Sequence, residues 1–253
     1  MQDENRTIEE KRIYKVVKSN QLIQNLRNKT GHLSLQEQRL ILYLISQVKP
    51  SDTEFARFDL SCQEFCKICG ITCTGKNYDY IKQTIQKLAD RSFWIETGEK
   101  GESQNLVRWI SDAEVTQRGH VSIQIHPKLQ PFLLHLKEFY TSYLLEYILP
   151  MKSRYSVLLY ELLRSYANIQ IHTFDVEELK VFLGAEKYER WADFQRKVLD
   201  IAMREINDLS DLEVDYQIIK ESRRFAKLRF RIRILEPIEL KDRGILRKQI
   251  LDN

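Results

Sequence analysis

Glycine and proline, the residues that most often interrupt helices and strands, are scarce in this sequence, with 8 and 5 among 253 residues. Their scarcity predicts few, short loops, so helices should dominate. No apolar run approaches the roughly 18 residues of a membrane-spanning helix, and no apolar stretch follows a basic N-terminus, as it would in a signal peptide. We therefore expect a cytoplasmic protein, and its 43% hydrophobic content is enough for two ordinary cores.

The net charge is also small, +4 at pH 7 with a pI of about 8.7, and by itself it does not indicate binding to nucleic acid. The charge is unevenly distributed, however. Residues 220–233 contain seven Lys or Arg and one acidic residue, Glu221. This basic segment is a candidate for contact with a polyanion, whereas the polar, acidic segment Met1–Glu10 is expected to be disordered.

Cysteine is confined to one short stretch: Cys62, Cys66, Cys69 and Cys73. A disulfide framework is not expected in a reducing compartment. The spacing admits a zinc or iron–sulfur site, but four thiolates on one helix cannot easily close a tetrahedron. Because Cys62, Cys66 and Cys69 would share a helix face, we favour cysteines packed as small buried hydrophobic residues. We expect no metal and no cofactor.

A first group of elements is indicated by capping and periodicity. Ser34 and Glu37 form a capping box, and apolar residues then recur at helical spacing. Ser61 can cap a second helix that runs to about Cys69, and Gly70 can end it. The next elements are predicted to be a helix and two strands, over residues 76–91, 92–96 and 105–115.

The same order of elements recurs in the second half of the chain. Asp175 can cap a helix that Gly184 ends, as Gly70 ends the earlier one. Gly184 lies 114 residues after Gly70, and Asp175 lies 116 residues after Asp59, which indicates a duplicated module. The flanking elements are predicted to be a helix before this one, then a long helix and two strands, over residues 152–166, 189–209, 212–220 and 224–235.

A helix, a turn, a polar-faced helix and a two-stranded hairpin follow one another in the order of a winged helix. The predicted fold is therefore α+β, with two tandem winged-helix domains that are mostly helical and carry small antiparallel hairpins. We predict a first domain over residues 12–139 and a second over 150–235. Segments 1–11 and 236–253 are predicted to be flexible or peripheral tails.

The final strand alternates apolar residues with Lys227, Arg229, Arg231 and Arg233, so one of its faces is basic. Matching apolar to apolar residues across the hairpin predicts a three-residue loop, Glu221–Arg223. The acidic partners on the preceding strand would then neutralise part of the basic face, although direct phosphate contact remains an alternative. The register predicts three pairs: Glu213 with Arg231, Asp215 with Arg229, and Gln217 with Lys227.

The long second-module helix offers side chains that could reach base edges in a DNA major groove. Arg196 lies about 160° around the helix from the inward-facing Phe194, at 100° per residue. Arg190, Asp193 and Lys197 flank the same outer face. The alternative is a solvated helix face held by i,i+4 ion pairs such as Asp193 with Lys197.

Two further groups are candidates for DNA contact. Basic residues at the tip of the second hairpin have no obvious acidic partners, which suits contact with phosphates; they are Lys220, Arg223 and Arg224. The outer face of the first-module helix carries amide and basic side chains, and Asn and Gln suit adenine, although ordinary surface polarity is the alternative. These first-domain candidates are Lys76, Asn77, Lys82, Gln83 and Lys87.

A set of short segments, taken in their order and spacing, carries a family resemblance that runs from about Val16 to Leu235. The segments are Val16-Val-Lys-Ser-Asn20, Leu33-Ser-Leu-Gln-Glu-Gln-Arg-Leu40, Lys152-Ser-Arg-Tyr155, Leu159-Tyr-Glu161, Phe194-Gln-Arg-Lys197, Glu205-Ile-Asn207 and Ile219-Lys-Glu-Ser-Arg-Arg224. Together they resemble the plasmid replication initiator family that binds direct repeats, called iterons, at an origin.

The resemblance implies two winged-helix domains and double-stranded DNA as the partner. It implies that monomers bind iterons, whereas dimers form through the first domain and repress the initiator's own gene. Base readout would fall to Arg196 and Lys197, and backbone contact to Ser153, Arg154 and the second hairpin. The protein would open the origin and rely on a host helicase and other host replication proteins.

Rival functions differ in the motifs they require. A rolling-circle nicking initiator needs a closely spaced metal-binding His pair, which His120 and His126 do not form, so the tyrosines, Tyr155 and Tyr160 among them, are predicted to pack in the core. No Walker A motif is present, so ATP hydrolysis and enzymatic activity in general are not expected. A plain transcriptional repressor and an interaction module whose basic hairpin binds an acidic partner remain as alternatives.

Overall fold

The computed structural model describes residues 14–24, 32–49, 51–72, 77–97, 103–221 and 224–245. The chain divides into two units, Met1–Leu149 and Pro150–Asn253. No helix within these described ranges is long and apolar enough to cross a membrane.

The first unit contains five α-helices and seven strands in its described residues. In chain order they are β1 (Lys15–Ser19), α1 (Asn20–Gln24), α2 (Leu35–Ser46), β2 (Phe58–Ser61), α3 (Cys62–Cys69), α4 (Asn77–Asp90), β3 (Ser92–Thr97), β4 (Ser103–Arg108), β5 (Ile110–Val115), β6 (His120–Ile125), α5 (Gln130–Leu133) and β7 (Tyr140–Leu144). Short 3-10 turns precede α5 and follow β7, at Pro127–Leu129 and Leu145–Tyr147.

The helix boundaries follow the predicted capping residues. Ser34 begins α2 with a complete capping box, in which the Glu37 amide donates to Ser34 Oγ and the Ser34 amide donates to the Glu37 carboxylate. Ser61 forms the same box at the start of α3. Gly70 ends α3 in the left-handed region at φ 68°, which glycine enters without a steric cost. The local sequence therefore sets both helices.

The first unit has one three-stranded sheet, in the order β2-β6-β5, and two antiparallel pairs, β1 with β7 and β3 with β4. The prediction of one strand over residues 105–115 is wrong, because the strand is interrupted at Trp109. The Trp109 side chain is buried and its ring lies 4.7 Å from that of Phe93. This inward turn leaves β4 paired with β3, while β5 joins the other sheet.

The second unit contains the elements α6 (Arg154–Ser165), β8 (Ile171–Asp175), α7 (Val176–Leu183), α8 (residues 191–209), β9 (Leu212–Glu221), β10 (Arg224–Ile234) and α9 (Pro237–Asp242). Helix α8 is continuous but not uniform. It starts as an α-helix, passes through a π-helical turn and continues as an α-helix, with the bounds Trp191–Phe194, Gln195–Leu199 and Asp200–Leu209.

The two units share a strand, a capped eight-residue helix and a glycine stop. Asp175 caps α7, and Gly184 ends it at φ 61°, as Ser61 and Gly70 do for α3. Both the caps and the glycines are therefore 114 residues apart. The predicted correspondence of Asp59 with Asp175 is wrong by two residues, since the structural counterpart of Asp175 is Ser61.

The second sheet has the order β8-β10-β9, with both pairings antiparallel. The predicted hairpin register is wrong by two residues. One arises because Glu221, predicted to lie in the loop, pairs with Arg224, and the other arises from a bulge. Ala226 is an extra residue in β10, a β-bulge between the pairs of Phe225 with Lys220 and Lys227 with Ile219. The pairs observed in place of the predicted ones are Glu213 with Arg233, Asp215 with Arg231, and Gln217 with Arg229.

Helical spacing from Phe194 predicts Val198, Ile201 and Ile206 on the inward face of α8, and this prediction is correct in part. Phe194, Val198 and Ile206 are fully buried, as expected, but Ile201 is only half-buried, and Ala202 is buried instead. The π-helical turn adds a residue to one turn and so rotates the positions after it relative to a regular helix.

Buried polar groups tie the second unit together. Glu205 of α8 accepts hydrogen bonds from the amides of Lys152 and Ser153, at 3.0 and 3.2 Å, and so satisfies backbone donors at the start of α6. Asn207 bonds both the amide and the carbonyl of Val214 through its side-chain amide. These bonds fix α8 against both α6 and β9.

Within the predicted C-terminal tail, Pro237–Asp242 forms a short helix. Its Leu240 is buried, and Arg243 donates to the Glu213 carboxylate at 2.6 Å. These residues therefore pack on the second unit, and residues 246–253 of the predicted tail lie outside the described part of the chain.

Candidate nucleic-acid interface

The N-terminal half of α8 presents the predicted base-reading residues on its outer surface. The Arg196 side chain is 75% exposed and that of Lys197 is 47% exposed, while Phe194 is fully buried. Arg190 is exposed just before the helix starts. The placement of these side chains agrees with the predicted outer face and leaves both cationic groups accessible to a ligand.

Asp193 lies between these cations. One carboxylate oxygen is 2.9 Å from Nζ of Lys197 and 3.6 Å from an Nη of Arg196. The hydrogen bond from Lys197 is the main cause that lowers the pKa of Asp193, with smaller contributions from the Arg196 and Arg190 charges. The predicted i,i+4 pair is therefore present, and both basic side chains remain exposed to solvent.

The π-helical turn contains both Arg196 and Lys197. Such turns are rare and occur often at functional sites, because the widened turn changes the direction of its side chains. Sequence reasoning missed it, since the apolar spacing fits an ordinary α-helix.

One side of this face is supported by aromatic rings that sequence reasoning did not single out as part of the site. Nζ of Lys197 lies 5.6 Å from the ring centroid of Tyr188, a geometry that favours a cation–π interaction. Tyr188 meets Tyr155 edge to face at 6.3 Å, and the guanidinium of Arg154 lies 4.4 Å from the Tyr155 ring. The start of α6 is thus connected to the outer face of α8.

The two residues implied as backbone contacts at the start of α6 also have internal roles. Ser153 is the N-cap of α6 and accepts a hydrogen bond from the Tyr155 amide at 3.2 Å. An Nη of Arg154 donates to the Gly184 carbonyl at 2.6 Å. The other Nη is buried and has no hydrogen-bond partner among the described residues.

The second hairpin places Lys220 at the end of β9, where it is exposed. Its Nζ lies 4.8 Å from the ring centroid of Phe225, and Phe225 stacks on Trp191 at the start of α8. The prediction for Arg223 and that for the Arg224 side chain lie outside the described part of the structure.

The basic face of β10 is neutralised in part. Lys227 pairs with Glu221 at 3.0 Å, and Arg233 pairs with both Glu213 and Glu239. Arg229 and Arg231 form no ion pair with the described residues. Acidic partners therefore neutralise two of the four cations on this face, Lys227 and Arg233, and these partners differ from the predicted ones.

In the first unit, α4 exposes Lys82, Gln83 and Lys87 on the side opposite its buried residues, as its sequence pattern predicts. Lys82 lies over the Tyr78 ring at 5.4 Å, and the Tyr78 hydroxyl donates to the Val115 carbonyl at 2.9 Å. Lys76 and the side chain of Asn77 lie outside the described residues.

The cysteine helix has the character of a packed core. Cys66 and Cys69 are buried and Cys62 is half-buried, while Cys73 is not among the described residues. Burial raises the pKa of the Cys69 thiol to about 12. Within the described ranges, no three His, Cys, Asp or Glu side chains are grouped so that they could hold a metal ion.

Each unit thus has a capped helix, a second helix with an exposed polar face and an antiparallel hairpin, which is the arrangement of a winged helix. The initiator replication protein WH1 model matches residues 15–164 and the WH2 model of the same kind matches residues 175–232. The chain belongs to this family of initiator replication proteins, and its two winged-helix domains are those of the family.

Individual relatives are more distant. The chain is 30% identical over 145 residues to the PI protein of Escherichia coli, a match that covers 50% of this chain and 47% of that protein. Thus the match spans about half the length of this curated relative.

Two solved structures are also similar. The WH1 domain of MSBI1.176, a replication protein isolated from a multiple sclerosis patient, is 21% identical with a TM-score of 0.33, over 44% of this chain and 86% of that one. Domains 2 and 3 of RctB are 13% identical with a TM-score of 0.48, and the match covers 83% of this chain and 85% of that one.

Proposed function

We propose that the protein initiates plasmid replication by binding direct repeats in double-stranded origin DNA, with α8 in the major groove. The observation that carries the proposal is the arrangement of Arg196 and Lys197, two exposed cations ordered by Asp193 on the outer face of the second helix of a winged-helix domain. Arginine can donate two hydrogen bonds to guanine O6 and N7, a pairing that distinguishes guanine from other bases.

The surrounding groups support a division between base readout and backbone contact. Arg190 precedes α8, and Lys220 lies on the hairpin beside it, where phosphate contacts would fix the register of the helix on the duplex. Further backbone contacts are proposed for Ser153 and Arg154 at the start of α6 and for the hairpin residues Arg223 and Arg224. For the first domain, we propose DNA contact by residues of α4 and the position before it: Lys82, Gln83 and Lys87, with Lys76 and Asn77.

Family membership supports the finer parts of the proposal. Monomers would fill an array of repeats, and the deformation of the DNA would help to open a neighbouring segment. Dimers formed through the first domain would repress the initiator's own gene, and a host helicase would act on the opened origin. A plain transcriptional repressor is the second candidate, because the same winged-helix surface can bind an operator.

The test is a binding selection from random duplex DNA at two salt concentrations, with the wild type and the double variant R196A/K197A. The expected result is one non-palindromic motif of about two helical turns, a steep loss of affinity with salt, and weakened binding by the double variant. A palindromic motif would favour the dimeric repressor as the main activity. The absence of any motif, with binding that ignores the double substitution, would overturn the assignment of α8.

A further inference from the structure

The β-bulge at Ala226 changes the direction of the hairpin side chains next to α8. From Leu228 to Ile232, the even-numbered residues of β10 face the core, and Leu228 and Phe230 are fully buried. If the alternation ran unbroken through Ala226, Phe225 would share the outer face with Lys227, because side chains two residues apart lie on the same face of a strand. A bulge reverses this alternation locally.

The reversal places Phe225 and Lys220 together on the side that faces α8. The two residues are direct partners in the antiparallel pair, so they share a face. The Phe225 ring stacks on the Trp191 ring with centroids 4.7 Å apart and an interplanar angle of 14°. Nζ of Lys220 lies 4.8 Å from the Phe225 centroid.

Trp191 connects this stack to the core. It is the first residue of α8, and its ring meets that of the buried Phe194 edge to face at 6.0 Å. A continuous row of contacts therefore runs from Phe194 through Trp191 and Phe225 to the ammonium group of Lys220. Asp193, which orders Arg196 and Lys197, lies two residues after Trp191 in the same helix.

We propose that Trp191 and Phe225 are positioning residues, whose stack holds the hairpin against the first turn of α8 so that Lys220 meets the DNA backbone while Arg196 meets the bases. The inference rests on the proposed DNA-binding function and assigns a role within it to two residues that would contact no DNA themselves. A hairpin held in place before binding loses less conformational entropy when DNA binds.

The substitutions that test this role remove the aromatic ring and keep an apolar side chain. F225L and W191L are each expected to weaken binding to the selected repeat by about threefold to tenfold, the range that loss of one aromatic pair gives. Because the two rings act as one contact, the double variant should bind about as tightly as either single variant. F225Y and W191F keep a stack and should restore binding.

A control variant disrupts another aromatic stack of the same unit. Tyr166 and His172 stack with centroids 3.8 Å apart, and among the described residues neither ring pairs with that of Phe225 or Trp191. Y166L should alter thermal stability but leave affinity for the repeat within about twofold after correction for the folded fraction. The full chain is used throughout, and the folded fraction is measured by thermal unfolding.

The dependence of affinity on salt separates positioning from mere stability. In the wild type, K220A should reduce the slope of log affinity against log salt by about 0.9, the value for one lost phosphate contact. In the F225L background, K220A should change the slope little, because Lys220 is no longer held at the phosphate. The fluorescence emission of Trp191 is obtained by subtracting the spectrum of the protein that carries W191F. This emission should shift to longer wavelength in F225L, because the indole becomes more exposed.

If R196A/K197A weakens binding, the proposed function stands, and either of two further results would then overturn the inference. The first is that F225L and W191L bind the repeat as tightly as the wild type. The second is that K220A changes the salt slope equally in the wild-type and F225L backgrounds. If R196A/K197A leaves binding unchanged, the proposed function itself fails. Weakened binding by the single variants, with the loss of the Lys220 contribution and rescue by F225Y, supports the positioning role.

Discussion

Nζ of Lys197 lies 2.9 Å from a carboxylate oxygen of Asp193, one helical turn earlier on the outer face of α8. The same oxygen is 3.6 Å from Arg196, so one acidic side chain restrains the two cations that we propose to contact bases. An acid in this position would also repel phosphates, so we expect Asp193 to lower affinity for DNA in general more than affinity for the correct sequence.

Replacement of Asp193 by Asn should therefore raise affinity for random-sequence duplex and lower the ratio of specific to non-specific affinity. Fluorescence anisotropy on the selected repeat and on a scrambled duplex, at one salt concentration, measures both values. D200N is a suitable control, because Asp200 lies in the same helix and forms no ion pair with the described residues. An unchanged ratio in D193N would contradict the proposed role of Asp193.

Glu205 should contribute to folding, although it lies in the helix that we propose reads DNA. It is buried and accepts two backbone hydrogen bonds at the start of α6. E205Q should lower the free energy of unfolding by about 1.5–3 kcal/mol, the usual effect for a hydrogen bond to a charged group. Denaturant unfolding measures this change, with the exposed Glu178 as the control in E178Q. Equal stability of the two variants would refute the capping role.

Gly70, which ends α3, can be compared with a second glycine in the left-handed region to test the contact with Arg39. Gly70 and Gly244 both have φ 68°, but a methyl group at Gly70 would meet the Arg39 guanidinium, whereas nothing lies within 4 Å at Gly244. Arg39 donates to the Cys69 carbonyl at 3.0 Å. G70A should therefore cost about 1.5 kcal/mol more than G244A, the backbone strain being common to both. Similar losses in denaturant unfolding would show that Arg39 moves aside freely.

His172 should make the stability of the second unit depend on pH. Burial against Tyr166 lowers the pKa of His172 below its ordinary value of 6.5. Below about pH 6.5 the unfolded chain binds a proton that the folded chain does not, so stability falls as the pH drops toward the lowered pKa of the folded state. Above that range the contribution is fully present.

The measurement is the free energy of unfolding at several pH values between 5 and 8 for the wild type and H172F. The difference between them should grow in favour of H172F as the pH falls below about 6.5, because phenylalanine keeps the ring stack and cannot be protonated. A difference that stays constant across this range would contradict the account.

Local sequence signals predicted much of the fold. Ser34 and Ser61 begin helices and Gly70 and Gly184 end them, because capping depends on a few neighbouring residues. The strand break at Trp109 could not be predicted, since it depends on packing against the distant Phe93 ring. The Ala226 bulge likewise leaves no periodic signal, and it accounts for one of the two residues by which the predicted hairpin register is wrong.

The candidate site was predictable to a different extent. The exposure of Arg196 and the Asp193 pair follow from helical periodicity around Phe194. The supports of the site, Tyr188 beside Lys197 and Phe225 on Trp191, depend on contacts between elements that sequence spacing does not specify. The segment Glu205-Ile-Asn207, which carries part of the family resemblance, proves to hold buried backbone bonds in this structure.

The central claim is that Arg196 reads a base, and atomic substitution in the DNA tests it most directly. Each guanine of the selected repeat is replaced in turn by 7-deazaguanine, which lacks the N7 acceptor, and affinity is measured for the wild type and R196A. The account predicts one guanine whose replacement weakens wild-type binding, by a fraction of the roughly 1–3 kcal/mol of a two-bond contact, and leaves R196A unaffected. Equal losses in both proteins at every guanine, or no loss at any, would contradict it.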